Sequence, residues 1–344
     1  MNRYYWLFIF LFVTAIMACN KEEVINVFEG FKKPSNFPEP AYHFDTNPVT
    51  KEGFELGRKL FFETMLSADN TVSCGSCHIP TAAFTHHGHN VSHGINDLIG
   101  TRNSPPIMNL AWNTSFMWDG GVGDMDLQPV APITNHVEMD ETVENVLQKL
   151  RNTTRYPALF KKAFGTEEIS TNRFLKAISQ FMSMCISSQS KYDSVQRHEG
   201  TTVFTTSEER GYALFKAKCN SCHKEPMFTD QSFRNNGLNP SSLDDKGRYL
   251  VTLNPADQYL FKVPSLRNLK YTPPYMHDGR LLTLEGVLDH YNSGVQPSPT
   301  LDPLLLQGNS PGIALSNNEK ADILAFLETL NDRSFVTNSL LSEQ

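Results

Sequence analysis

The sequence predicts a mainly α-helical protein whose chain is one pattern written twice. Three observations predict this. Apolar residues recur at helical spacing in several segments. A pentapeptide of two cysteines and a histidine occurs twice. Six landmarks, the pentapeptide among them, run in the same order in each half. Repetition of that kind argues for internal duplication, not for two unrelated sites.

The elements run as follows. Residues 1–18 read as an export signal. Arg3 supplies one positive charge, and Tyr4 to Met17 is almost unbroken in apolar character but short for a membrane span. Ile16-Met17-Ala18-Cys19 resembles a bacterial lipobox, which would make Cys19 the lipidated N-terminus. An ordinary signal peptide is the alternative. Lys21-Glu22-Glu23 resembles the surface-export signal of some bacterial lipoproteins. The expected address is therefore the periplasm or cell envelope, with a lipid as the only membrane contact and surface exposure left open. Residues 19–48 hold Pro34, Pro38, Pro40 and Pro48 without a sustained period, and read as a tether.

The first half is placed at residues 49–200 and the second at 201–335, with the change-over in the polar stretch 195–206. Gly57-x-x-Leu60-Phe61 and Gly211-x-x-Leu214-Phe215 precede the two pentapeptides. Phe84-Thr85 and Phe228-Thr229 follow them. Arg102-Asn103 is matched with Arg267-Asn268, and Phe116-Met117-Trp118-Asp119-Gly120 with Tyr275-Met276-His277-Asp278-Gly279. Val143, Val146, Leu147 and Leu150 keep one helical stripe, and Leu284, Val287, Leu288 and Tyr291 keep its counterpart. Ser316-x-x-Glu319 is a capping box that opens a terminal helix carrying Ile323, Leu324, Leu327 and Leu330. Between these lie long Pro/Gly-rich stretches, 79–141 and 224–282, of a length that usually lines something.

Composition narrows the function. Net charge is −7 for the whole chain of 344 residues, and the export signal holds only Arg3, so its loss makes the balance more acidic. Nucleic acid is not an expected partner. The chain is long enough for two cores. Four of the six cysteines belong to the pentapeptides and Cys19 to the lipid. Cys185 shares an apolar face with Phe174, Ile178, Phe181 and Met182 and reads as a core residue.

The pentapeptides carry the chemistry. They are Cys74-Gly75-Ser76-Cys77-His78 and Cys219-Asn220-Ser221-Cys222-His223. Each is the attachment signature of a c-type haem: two thiols add to the vinyl groups of one macrocycle, and the adjacent histidine becomes the proximal iron ligand. Zinc and disulfide readings exist, but zinc does not call for a histidine directly after both pairs. Two covalently bound haems in cytochrome c-like domains are the expectation.

With those motifs in view, residues 50–332 resemble the bacterial di-haem cytochrome c peroxidase family, including its MauG (methylamine-utilisation) branch. Arg102-Asn103-Ser104-Pro105, Trp118-Asp119-Gly120, Gln128, Glu138-Met139, Val263-Pro264-Ser265-Leu266-Arg267-Asn268 and His277-Asp278-Gly279 carry the likeness. The resemblance implies that the N-terminal haem is peroxidatic and that the C-terminal haem passes electrons to it. It implies hydrogen peroxide as substrate and a small redox protein, a cytochrome c or cupredoxin, as donor. A homodimer is held open.

The family pattern also assigns residues. It makes Glu138 the acid–base group, since a carboxylate beside bound peroxide can move a proton from one oxygen to the other and release water. Gln128 would orient peroxide or a water, and Trp118 would bridge the haems. Asn103 (side chain), Thr272 and Pro274 (carbonyls) would hold calcium between the domains, an oxygen shell of the kind calcium takes. Where the peroxidase branch has a methionine ligand to the second iron, this sequence has Tyr291, as the MauG branch does. A core tyrosine, with His290 or a methionine as ligand, is the alternative. A loop histidine gates the first haem in family peroxidases. The matching loop holds His86, His87, His89 and His93, of which His93 is nearest in position. Two further functions stay open: a MauG-like oxidase that uses peroxide to modify a protein or small molecule, and a non-enzymatic di-haem electron carrier.

Overall fold

The computed structural model describes residues 28–308 and 310–344, so the export signal and Cys19 lie outside the described residues. The helices that frame the described residues include α1 (Lys51–Phe61), α2 (Val143–Arg151), α3 (Arg155–Phe164), α4 (Thr171–Ser183), α5 (Thr206–Lys218), α6 (Leu284–Asp289) and α7 (Asn317–Glu328). Strand content is slight. The pair β1 (Phe233–Arg234) and β2 (Phe261–Lys262) is antiparallel, with Phe233 opposite Lys262. No described helix is long and apolar enough to cross a membrane.

Two packed helix pairs hold the cores. Helix α1 lies on α4, and a Cβ built at Gly57 would stand 1.8 Å from the carbonyl oxygen of Ala177. Helix α5 lies on α7, and a Cβ at Gly211 would stand 1.9 Å from the carbonyl oxygen of Asp322. Any side chain would force the backbones apart, so the two Gly-x-x-Leu-Phe motifs record one close approach made twice. Phe61, Phe84, Leu150 and Phe181 fill the first core, and Phe215, Phe228 and Phe326 the second.

Side chains cap the helix starts. Thr142 accepts from the Asn145 N–H and Thr283 from the Gly286 N–H, opening α2 and α6. Ser316 and Glu319 form the expected reciprocal box on α7. Helix α6 is shorter than its stripe suggested. It ends at Asp289 and passes into a single π turn, His290–Gly294, which carries Tyr291.

Three expectations need correction. The loop match of Arg102-Asn103 with Arg267-Asn268 is out of register. Asn268 has φ 64° and precedes the 3₁₀ turn Leu269–Tyr271, and the residue in that setting in the first half is Asn109, with φ 55° before Leu110–Trp112. The stretch read as a tether is packed over residues 28–48. Phe37 is buried, the Trp112 indole N–H donates to the Pro38 carbonyl, and Asn36 donates to Asp193. The borders of the halves also interleave. Tyr192 belongs to the second core, whereas Phe335, Val336 and Leu341 close the first.

Candidate active site: two haem-binding centres

In the first half a cavity of about 220 Å³ brings together Cys74, Cys77, His78, Trp118, Gln128 and Glu138. Residues far apart in sequence therefore meet as expected. The four-residue helix Cys74–Cys77 presents both thiols, and His78 caps it. His78 Nδ1 donates to the Phe84 carbonyl at 2.7 Å. That bond fixes the ring and leaves Nε2 for a metal. Burial holds its pKa down to about 4, so the imidazole is neutral as a ligand must be.

Glu138 faces the same cavity. Its carboxyl accepts one hydrogen bond, from Asn135 Nδ2 at 2.9 Å. Burial pushes its pKa above the usual carboxylate range, and the Asn135 bond opposes this only in part. The loop of histidines leans on this residue. Ile95 N–H donates to the Glu138 carbonyl at 2.8 Å, and a Cβ at Gly94 would lie 2.4 Å from that oxygen. Of the four loop histidines only His93 lines the cavity. His86 is buried instead, with Ser104 Oγ against its Nδ1, while His87 and His89 are exposed.

The second centre repeats the proximal arrangement. His223 is half-buried, and its Nδ1 donates to the Pro264 carbonyl at 3.1 Å, with the Phe228 carbonyl at 3.3 Å. Tyr291 is within electrostatic reach of both thiols of this centre, Cys219 and Cys222. Burial is the main cause that pushes its pKa up to about 12, opposed by a hydrogen bond with Asn236. His290 points elsewhere: its Nε2 lies 3.1 Å from the Asn236 carbonyl. Leu150, the last member of the first helical stripe, is fully buried in the first core.

Trp118 stands where two cavities meet. It lines the first cavity and also a second, of about 100 Å³, whose walls include His78 and Pro264. Its indole N–H donates to the Asn103 carbonyl at 2.8 Å. Asn103 Nδ2 in turn donates to the Pro274 carbonyl at 2.8 Å, so two of the three expected calcium ligands touch across the halves. Thr272 ends the 3₁₀ turn just before them. Sequence reasoning missed Asn236 and Lys262 and gave Arg102 no role beyond its motif. Arg102 pairs with Asp119 of the first half and bidentately with Asp245 of the second. The motif Arg102-Asn103-Ser104-Pro105 was the available signal.

The residues fit a c-type haem at both centres. The four thiols are free, and each pair adjoins a half-buried histidine tethered through Nδ1 to a backbone carbonyl. Fold and site together define a di-haem c-type redox protein.

The comparisons agree. The family described as di-haem cytochrome c peroxidase matches residues 51–201. Methylamine utilization protein MauG of Methylorubrum extorquens is 35% identical, over 92% of this chain and 88% of its own. Cytochrome c551 peroxidase of Nitrosomonas europaea is 33% identical, over 82% and 81%. The crystal structure of a MauG-like protein associated with microbial copper homeostasis superposes with a TM-score of 0.82 at 32% identity, covering 91% of this chain and 98% of that one. The chain belongs to the di-haem cytochrome c peroxidase family. It is an oxidoreductase with two c-type haems.

Proposed function

We propose that the protein reduces hydrogen peroxide to water at the first centre, with two electrons drawn from a small redox protein through the second. The carrying observation is Glu138, a carboxyl of raised pKa in the cavity that holds Cys74, Cys77 and His78. When bound, the haems supply the iron that accepts peroxide and the store for its two oxidising equivalents. Glu138 takes a proton from one peroxide oxygen and returns it to the other, so that water leaves. Gln128 orients the substrate through its amide. Trp118, common to both cavities, bridges the centres. Two electrons and two protons per peroxide give two waters.

Four further assignments accompany this reading. Tyr291 ligates the second iron; its electrostatic reach to Cys219 and Cys222 supports this, as does the engagement of His290 with Asn236. The π turn under Tyr291 is a local distortion often found at functional sites. Asn103, Thr272 and Pro274 hold calcium, supported by the contact of Asn103 with Pro274. The halves descend from one duplicated unit. Paired backbone settings support it: Met117 and Met276 have φ 67° and 75°, and bridges join Phe116 to Val122 and Tyr275 to Leu281. The protein works in the periplasm or envelope, with Cys19 as lipid anchor, as the sequence of residues 1–19 suggests.

A phenolate on the second iron also favours a second function. It would lower the potential and suit a MauG-like oxidation of a protein or small molecule. Turnover separates the two. Peroxide-dependent oxidation of reduced cytochrome c or cupredoxin by the purified holoprotein supports the peroxidase. Peroxide consumption with no donor oxidised, and with a co-substrate modified instead, supports the oxidase.

A further inference from the structure

The interface between the halves is reciprocal, and its two sides differ in one informative place. Asn103 and Lys262, Ser115 and Pro274, and Trp118 and His277 are each separated by 159 residues, as are Asn109 and Asn268. The backbone bonds obey the same relation. Asn103 N–H donates to the His277 carbonyl at 2.7 Å, and Lys262 N–H donates to the Trp118 carbonyl at 2.7 Å. Side chains obey it too. Asn103 Nδ2 meets the Pro274 carbonyl, and Lys262 Nζ meets the Ser115 carbonyl.

Lys262 is thus the counterpart of the first residue assigned to calcium, and Ser115 is the counterpart of another. Asn113, the counterpart of Thr272, lines the same cavity as Lys262. The Nζ also lies 5.9 Å from the Phe116 ring centroid. No carboxylate among the described residues pairs with this ammonium, and burial alone lowers its pKa to about 8. A half-buried cation that is held by carbonyl oxygen and has no anion is costly unless it has a fixed task.

We propose that the Lys262 ammonium is a tethered cation that fills, in the second half, the place a calcium ion takes at Asn103 in the first. This rests on the calcium assignment made above. Calcium and an ammonium both seek oxygen acceptors, and both sites offer main-chain carbonyls. One cation is carried by the chain and the other is drawn from solution. Each ties the two halves across its own side of Trp118 and His277. Only one side of the interface therefore depends on metal.

The test exchanges the two cations. Calcium is counted by elemental analysis of the dialysed holoprotein, and haem spectra are recorded before and after chelation. Wild type should hold about one calcium per chain, Lys262→Asn about two, and Asn103→Lys none. The haem spectra of Asn103→Lys should not change on chelation. If wild type holds one calcium and Lys262→Asn still holds one, the inference about Lys262 fails and the calcium assignment stands. If wild type holds none, the calcium assignment itself fails and takes the inference with it. Should Lys262→Asn not fold, Asn103→Lys decides. Calcium bound there, or a spectrum that shifts on chelation, overturns the proposal.

Discussion

Replacing Glu138 by Gln should abolish fast peroxide cleavage without disturbing the fold. The carboxyl accepts a single hydrogen bond, from Asn135, and a glutamine oxygen can accept the same bond. The side chains have nearly equal volume, so packing around the cavity is kept. What disappears is a group able to take and return a proton. General acid–base catalysis of this kind contributes roughly 10²–10⁴-fold, or about 2.7–5.4 kcal/mol of barrier. The wild-type rate should also fall as pH drops. The acceptor is the carboxylate, and burial raises the pKa through which that form is lost. The Gln variant should lack this limb. Stopped-flow mixing of the holoprotein with peroxide, across a pH series, measures both effects. A Gln variant that reacts at the wild-type rate, with the same pH profile, would refute the assignment.

Other outcomes follow from the same geometry. Tyr291→Phe should change the absorption and EPR spectra of one haem only, with haem content intact; two unchanged spectra would make Tyr291 a core residue. Removal of calcium by chelation, confirmed by elemental analysis, should uncouple the haems, seen as peroxide reacting without oxidation of the second centre. Gly211→Ala should destabilise the fold by roughly 1–3 kcal/mol, because its Cβ meets the Asp322 backbone at 1.9 Å. Gly123→Ala, with nothing within 4 Å, is the control and should leave the thermal midpoint in place.

The legible parts of this molecule were those written locally or in covalent chemistry. The two pentapeptides need only five adjacent residues each. The Ser316–Glu319 box and the Gly-x-x-Leu-Phe motifs encode caps and close approaches that a spacing can announce. Trp118, Gln128 and Glu138 were found through a family pattern, and the cavity brings them together. Three things were not legible. The register between halves was set by the repeated Arg-Asn dipeptide, whereas left-handed backbone at Asn109 and Asn268 marks the matching positions. Prolines made residues 28–48 look unstructured, yet Phe31, Phe37 and Phe44 pack around Trp112. Asn236 and Lys262 gain meaning only from partners 55 and 147 positions away, Tyr291 and Ser115, a distance no local pattern spans.

The central claim is that one chain joins a peroxide-cleaving haem to an electron-relaying one. The direct measurement is the ratio of donor oxidised to peroxide consumed, with the purified holoprotein and limiting peroxide under anaerobic conditions. The account expects about two equivalents of reduced cytochrome c or cupredoxin oxidised per peroxide, with water as product. A protein that carries both haems, exchanges electrons with the donor and leaves peroxide untouched would contradict it.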